Sequence, residues 1–94
     1  FFHLISNKEM KTVIHESSLA LQTNSYFVVY GPFMRGGELT SDQDIKFHKS
    51  LIECDPDIGY KDDFDILDEI EENNLSPEAI IEMPSNNLMF IAKK

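Results

Sequence analysis

The side chains best suited to binding chemistry follow one apolar run or lie in one late turn. A phenol ring closes the run Tyr-Phe-Val-Val-Tyr, a guanidinium lies in the glycine-rich loop after it, and two adjacent amides form the turn. These groups donate hydrogen bonds or pair with charge. The competing interpretation is structural, with Gly-Pro serving as a turn and the asparagines filling left-handed backbone positions. The candidates are Tyr30, Phe33, Arg35, Asn86 and Asn87.

Spacing argues against several other kinds of site. His3, His15 and His48 are far apart, and no Cys or carboxylate stands at zinc-ligand spacing from them. The aspartates between 55 and 65 do not form an EF-hand, because Ile66 stands where the closing Glu is required. The sequence has no G-x-G, no G-K-[ST] and no nucleophile elbow. We therefore expect no metal site and no phosphate or dinucleotide cradle.

The elements that must position the candidates are readable from local patterns. Ser6 and Glu9 form a capping box before apolar residues at helical spacing, which predicts a helix over about 7–22. The β-branched and aromatic run at Tyr26–Tyr30 predicts a strand covered on both faces. The other predicted elements are a mobile glycine loop at 33–39, helices at about 42–53 and 63–73, the latter capped by Asp62, and strands at 79–83 and 88–92.

This order of elements favours an α/β fold with an open sheet. The link between the last two strands is too short for a parallel crossover, so these strands should form an antiparallel hairpin. Ligands of open α/β sheets gather beyond the carboxyl ends of the strands. By that rule the segment Gly31–Gly37 is the place to look for a site.

Composition and charge bound the possible functions. With 94 residues, 41% hydrophobic and 27% charged, the chain fits one small domain. No apolar run approaches the roughly 20 residues of a membrane span. The net charge is −9, and 12 of the 17 acidic residues lie between 53 and 82, so nucleic-acid binding is not expected. The single Cys54 has no disulfide partner, which fits a reducing cytoplasm or leaves the compartment open, and we expect a buried, inert thiol.

Three separated blocks of the sequence carry a family resemblance. They are YGPF-x-x-GG-x-x-T-S-x-x-x-x-x-F at Tyr30–Phe47, SL-x-x-x-DP-x-x-G at Ser50–Gly59, and EMPSNNLMF at Glu82–Phe90. Together they resemble the carboxyl half of class I S-adenosylmethionine-dependent methyltransferases of the uncharacterised methyltransferase-like 26 family. Lys61 stands where that pattern has Arg.

The resemblance implies a partial doubly wound, Rossmann-like methyltransferase sheet. Residues 1–94 would be one partial domain that supplies the tail of strand four, strand five, and the antiparallel strands six and seven of a mixed sheet. The glycine turn that grips S-adenosylmethionine would lie upstream, and the beginning Phe-Phe-His-Leu-Ile-Ser reads as a chain entered midway. The chain alone is therefore expected neither to bind this cofactor tightly nor to turn over.

The resemblance also implies roles for the candidate residues, although the methyl acceptor and any catalytic base remain unknown. His3 and Ser6 would lie beside the cofactor. Tyr30 would orient a hydroxyl or amine of a small-molecule acceptor, and Arg35 would pair with an acidic group on it. The full acceptor side would comprise Tyr30, Phe33, Arg35, Asn86 and Asn87.

Two alternatives need no catalysis. The acidic stretch 53–82 predicts a protein-interaction module that docks a basic partner, with binding that weakens steeply as salt is added. If strand four is truncated, the apolar edge of the strand at 26–30 is unpaired, and such edges recruit another strand. Self-association of the chain is the expected result.

Overall fold

The computed structural model describes residues 1–94, which form three α-helices and three β-strands. The helices are α1 (Asn7–Ala20), α2 (Asp42–Cys54) and α3 (Asp63–Glu72). The strands are β1 (Tyr26–Pro32), β2 (Ser76–Met83) and β3 (Asn87–Lys93). Short 3-10 turns lie at Phe2–Leu4 and Pro84–Asn86. None of the helices has the length and apolar content that crossing a membrane requires.

The strands form one antiparallel sheet in the order β1-β3-β2, so the last strand lies in the middle. Val28 of β1 is opposite Ile91 of β3, and Ile81 of β2 is opposite Met89 on the other side of β3. The predicted α/β class and the antiparallel hairpin are confirmed. Within these residues the sheet is antiparallel throughout, and the parallel strand that a mixed sheet needs is not among them.

Three expectations about β1 and the start of the chain are wrong. β1 continues past Tyr30 to Pro32, which an outer strand tolerates because a missing N–H at its end breaks no central ladder. The side chains of Tyr26, Val28 and Tyr30 are exposed rather than covered, because the helices pack on only one face of the sheet. The expected tail of strand four is a 3-10 turn at Phe2–Leu4.

Side-chain hydrogen bonds set the starts of the helices. α1 begins with the predicted capping box, in which the Glu9 N–H donates to Ser6 Oγ at 3.1 Å and the Ser6 N–H donates to the Glu9 carboxylate at 3.0 Å. Asp62 stands at the predicted N-cap of α3, but its side chain makes no capping bond. Its carboxylate accepts from the N–H of Gly37 at 2.5 Å instead. This contact ties the glycine loop (residues 33–39), which was expected to be mobile, to the start of α3.

The hydrophobic core lies between one face of the sheet and the helices α1 and α3. Alternate side chains of β3 point into it, and Leu88, Phe90 and Ala92 are all buried. Fully buried side chains of the two helices meet them from the other side: Met10, Ile14, Ile66 and Ile70. The period-2 pattern of β3 and the helical spacing in α1 and α3 thus supply the two halves of one core.

Helix α2 stands apart from this core. It contains no buried residue, and Ile45, Phe47 and Ile52 are exposed. Cys54 at its end is also exposed, so the expectation of a buried thiol is wrong. Because α2 contributes no side chain to the core, its position depends on contacts made near the candidate site.

The two outer strands differ in how their edges are protected. β2 carries Pro77, Glu78 and Glu82 and has a register irregularity next to Pro77, all of which discourage further strand pairing. β1 has no charged residue. A cavity of about 240 Å³ beside it is lined entirely by apolar side chains: Phe1, Phe2, Val13, Phe27, Val28, Val29 and Tyr30. The edge of β1 is therefore open to pairing, and self-association through it stays a prediction.

Val28→Lys tests this edge. The Val28 side chain is 53% exposed, so we expect the variant to fold while its new charge opposes pairing of β1 with a second copy. Sedimentation velocity should show concentration-dependent dimers or larger species for the unmodified chain and mostly monomer for the variant. Ile81→Lys is the control, because Ile81 is 41% exposed on the other outer strand. A monomeric unmodified chain, or equal effects of both substitutions, contradicts the prediction.

Candidate functional site

Tyr30 and Asn87 meet where β1 ends and β3 begins. The Asn87 side-chain amide donates to the Tyr30 hydroxyl at 3.3 Å and to the carbonyl of Pro84 at 3.1 Å. The turn before Asn87 places Ser85 and Asn86 in the left-handed backbone region, each with φ of 62°. Asn86 therefore fills a left-handed backbone position, as the structural interpretation of the asparagine pair predicts. Asn87 does not, and its side chain holds the turn against β1.

Arg35 ties the glycine loop to the β2–β3 turn. Its guanidinium donates to both carboxylate oxygens of Glu82, at 3.3 and 2.9 Å. It also donates to the carbonyl oxygens of Phe33 at 2.6 Å and Asn86 at 3.0 Å. The hydrogen bond from Arg35 lowers the pKa of Glu82. We call this arrangement the Arg35 clamp, and pairing with an acidic acceptor would require the guanidinium to leave Glu82.

Phe33 is not brought to the surface with the other candidates. Its side chain is buried in the core, edge-on to Phe90 with ring centroids 5.0 Å apart. The contact of Phe33 with the site is through its backbone, because its carbonyl oxygen accepts from Arg35. The phenyl ring anchors the glycine loop beneath the site.

The Asp44 carboxylate joins the start of α2 to the β2–β3 turn. It accepts from the Tyr60 hydroxyl at 2.6 Å, from the Ser41 hydroxyl at 2.8 Å and from the Asn86 amide at 3.4 Å. Partial burial acts to raise the pKa of Asp44, but these donors and the nearby guanidinium lower it overall. Burial and the adjacent carboxylate raise the pKa of Tyr60. The pair therefore consists of an ionised carboxylate and a protonated phenol.

Four rings form what we call the aromatic cluster: His3, Phe47, His48 and Tyr60. Tyr60 is central, with ring centroids 5.9 Å from His3, 6.2 Å from Phe47 and 5.7 Å from His48. The Tyr60 backbone N–H donates to Nδ1 of His48 at 3.0 Å, so Nε2 carries the proton of the neutral ring. Gly59 allows this contact, because a Cβ there would lie 2.8 Å from Cε1 of His48.

The buried ammonium group of Lys61 lies beneath the aromatic cluster. Its Nζ donates to the carbonyl oxygens of Ile5 at 2.6 Å and Gly59 at 2.8 Å, and the residue is 5% exposed. Burial lowers the pKa of Lys61, and the Glu9 carboxylate opposes that shift. These bonds hold the first residues of the chain against the segment that leads into α3.

The two residues expected beside the cofactor are in different situations. His3 belongs to the aromatic cluster and is therefore connected, through Tyr60 and Asp44, to the acceptor-side residues. The Ser6 hydroxyl is used as the helix cap of α1 and takes no part in these contacts. The assignment of His3 and Ser6 to the cofactor side stays a prediction.

The whole chain matches one family model. Residues 1–94 correspond to a family described as proteins of unknown function, DUF938. The chain belongs to the DUF938 family.

Two solved structures have a fold similar to that of this DUF938 chain. The O-methyltransferase family 2 protein from Planctomyces limnophilus DSM 3776, in complex with apigenin, matches with a TM-score of 0.86 and 8% identity, over 99% of this chain and 28% of that one. PigF with SAH matches with a TM-score of 0.84 and 10% identity, over 100% of this chain and 31% of that one. The fold is methyltransferase-like, and the chain spans less than a third of the length of either structure.

The residues that sequence reasoning missed are those that connect the candidates in this DUF938 chain. Asp44 and Lys61 resemble ordinary solvent-facing charges in the sequence, and Tyr60 gives no signal by type alone. The sequence suggests metal binding as the one role for His48, and no group of three or more His, Cys, Asp or Glu side chains is placed to hold a metal ion.

We expect the two histidines of the aromatic cluster to make the chain less stable at acidic pH. Burial, followed by nearby positive charge, lowers the pKa of both His3 and His48 below 6.5. As the pH falls below about 6.5 the unfolded chain binds these protons first, so the free energy of unfolding decreases. This contribution to stability is fully present above that pH.

His48→Asn separates this effect from general acid destabilisation. The amide oxygen still accepts from the Tyr60 N–H, but the side chain does not titrate, so the variant should lose part of the pH dependence. Urea unfolding followed by circular dichroism at about pH 7.5 and 5.5 measures the difference. The prediction is contradicted if the free energy of unfolding changes equally between the two pH values for the unmodified chain and for His48→Asn.

Proposed function

We propose that this chain is the carboxyl-terminal, acceptor-binding part of a class I S-adenosylmethionine-dependent methyltransferase of the methyltransferase-like 26 type. Its acceptor is a small molecule, and the chain is inactive alone. The observation that carries the proposal is the likeness to methyltransferase structures along 99% or more of the chain. The two neighbours are named with apigenin and with SAH, which supports a small acceptor and a methyl donor of this kind.

The arrangement of the candidate residues supports the acceptor role. Methyl transfer needs the acceptor atom held in line with the methyl donor, so much of the rate comes from positioning. The Tyr30 hydroxyl accepts from Asn87, which leaves its own proton free to donate to an acceptor. Asp44 and the Arg35 clamp hold the turn that carries Asn86, so the surface beside Tyr30 has a fixed shape.

The proposal predicts that cofactor binding depends on residues outside this chain. Calorimetric titration of S-adenosylmethionine into the 94-residue chain should give no binding heat, because no glycine-rich turn for the donor occurs in it. The product of the complete coding sequence should bind the cofactor and transfer its methyl group.

Two results would contradict this proposal. Tight binding by the 94 residues would mean that the donor site lies within this chain. Absence of both cofactor binding and methyl transfer by the complete product would remove the methyltransferase function itself.

An interaction module is the second candidate, favoured by the acidic surface of α3. Asp65, Asp68 and Glu72 are exposed and line a depression of about 270 Å³ next to α1. A basic partner docked there would bind through screened surface charges.

A lysine-rich peptide tests the interaction module. Its affinity should fall more than about tenfold between 50 and 300 mM salt if the acidic surface is the docking site. The triple variant Asp65→Asn, Asp68→Asn and Glu72→Gln should remove most of the binding measured at low salt. Salt-independent binding, or unchanged binding by the triple variant, contradicts the module.

A further inference from the structure

The charge of the acceptor can be inferred from the hydrogen-bond donors near the site. Those that could receive an anion are already bonded to other groups of the protein. An acceptor with a carboxylate or phosphate needs a free cation or free backbone amides to receive it. Arg35 is the cation that bonds to the β2–β3 turn, and its guanidinium makes four hydrogen bonds within the protein, two of them to Glu82. The Arg35 clamp therefore presents no unpaired charge to an acceptor.

The backbone amides of the glycine loop are also used. Gly36 and Gly37 both have left-handed backbone angles, with φ of 58° and 82°. Successive amides in such turns commonly form concave anion sites. Here the Gly36 N–H donates to Asp63 at 2.9 Å and the Gly37 N–H donates to Asp62 at 2.5 Å. The carboxylates of Asp62 and Asp63 therefore accept the two N–H groups that an anionic ligand would need.

The second cationic side chain, that of Lys61, is buried. Lys61 is 5% exposed, and its ammonium group donates to two carbonyl oxygens of the chain. Three positive charges lie in or against the glycine loop, the Arg35 clamp and the aromatic cluster: Arg35, Lys61 and the terminal ammonium of Phe1, which is 3.4 Å from Nδ1 of His3. They are accompanied by five carboxylates: Glu38, Asp44, Asp62, Asp63 and Glu82. The formal charge of the site is thus −2.

The groups still open to a ligand are aromatic and hydrogen-bonding. Phe47 is 44% exposed at the edge of the aromatic cluster, and Tyr30 is 50% exposed with a free hydroxyl proton. Ring faces attract cations and accept uncharged aromatic surfaces. An anion placed against the Tyr30 or Phe47 ring would meet a ring face in a site of net negative charge, and both oppose it.

We propose that this site selects against anionic acceptors, so that the methyl acceptor is an uncharged or positively charged small molecule rather than an acid or a phosphate ester. The inference rests on the proposed methyltransferase function and specifies its substrate class. In this inference Arg35 does not pair with an acidic acceptor. Its role is to hold the glycine loop and the β2–β3 turn in position.

Three phenols of the same shape test the selection. They are 4-hydroxybenzamide, 4-hydroxybenzylamine and 4-hydroxybenzoate, which are neutral, cationic and anionic at pH 7. NMR titration of the 94-residue chain should show the first two shifting the ring resonances of Phe47 and Tyr60. The benzoate should bind at least about fivefold more weakly, and added salt should narrow its difference from the amine. Equal or tighter binding of the benzoate, or no ring shifts with any probe, overturns the proposal.

A matched pair of variants isolates the Arg35 clamp from net charge. Glu82→Gln removes the carboxylate that holds the guanidinium, so binding of 4-hydroxybenzoate should strengthen several-fold. Glu78→Gln removes the same charge from the same strand but does not touch Arg35, so it should have little effect. Equal effects of the two variants contradict the role assigned to the clamp.

Failure of this inference is distinguishable from failure of the proposed function. The phenol titrations need no methyl donor, so charge selection by the chain is measured independently of activity. If the product of the complete coding sequence methylates acids in preference to matched amides, the inference fails and the methyltransferase function stands. If that product neither binds S-adenosylmethionine nor transfers a methyl group, the function fails whatever the probes show.

Discussion

The arrangement of the site depends on one buried ammonium group. Removing the charge of Lys61 from water is costly unless hydrogen bonds replace the lost hydration, and the carbonyl oxygens of Ile5 and Gly59 provide them. These two carbonyls belong to segments more than fifty residues apart in sequence. The cost of burial is therefore met only when the first residues of the chain lie against the segment before α3, which brings His3 to Tyr60.

From that junction the contacts continue to the other end of the site. Tyr60 bonds to Asp44 at the start of α2, Asp44 bonds to Asn86, and the carbonyl of Asn86 accepts from Arg35. Because α2 has no side chain in the core, these polar contacts and the ring contacts of Phe47 and His48 supply its main attachment. An element held in this way belongs to the least stable part of a fold.

The sequence predicts this fold well wherever the signal is local. The capping box at Ser6 places the start of α1 correctly, and the short link before Asn87 correctly predicts the antiparallel hairpin. The run at 26–30 predicts a strand but not its exposure, because an apolar pattern cannot reveal whether a second layer covers the sheet. The polar site is less predictable for the same reason. Asp44 and Asp62 look like solvent-facing charges, and only the fold reveals their long-range partners.

The strand order has a consequence for biosynthesis. Within these residues β1 and β2 each pair only with β3, so neither has its partner in this sheet until β3 has left the ribosome. At about 5–20 residues per second, the roughly 60 residues from the end of β1 to the end of β3 take several seconds to translate. During that interval the uncharged β1 segment has no partner among these three strands. The strongly acidic stretch 53–82 is translated between β1 and β3, so like charges of neighbouring nascent chains repel each other before the sheet closes.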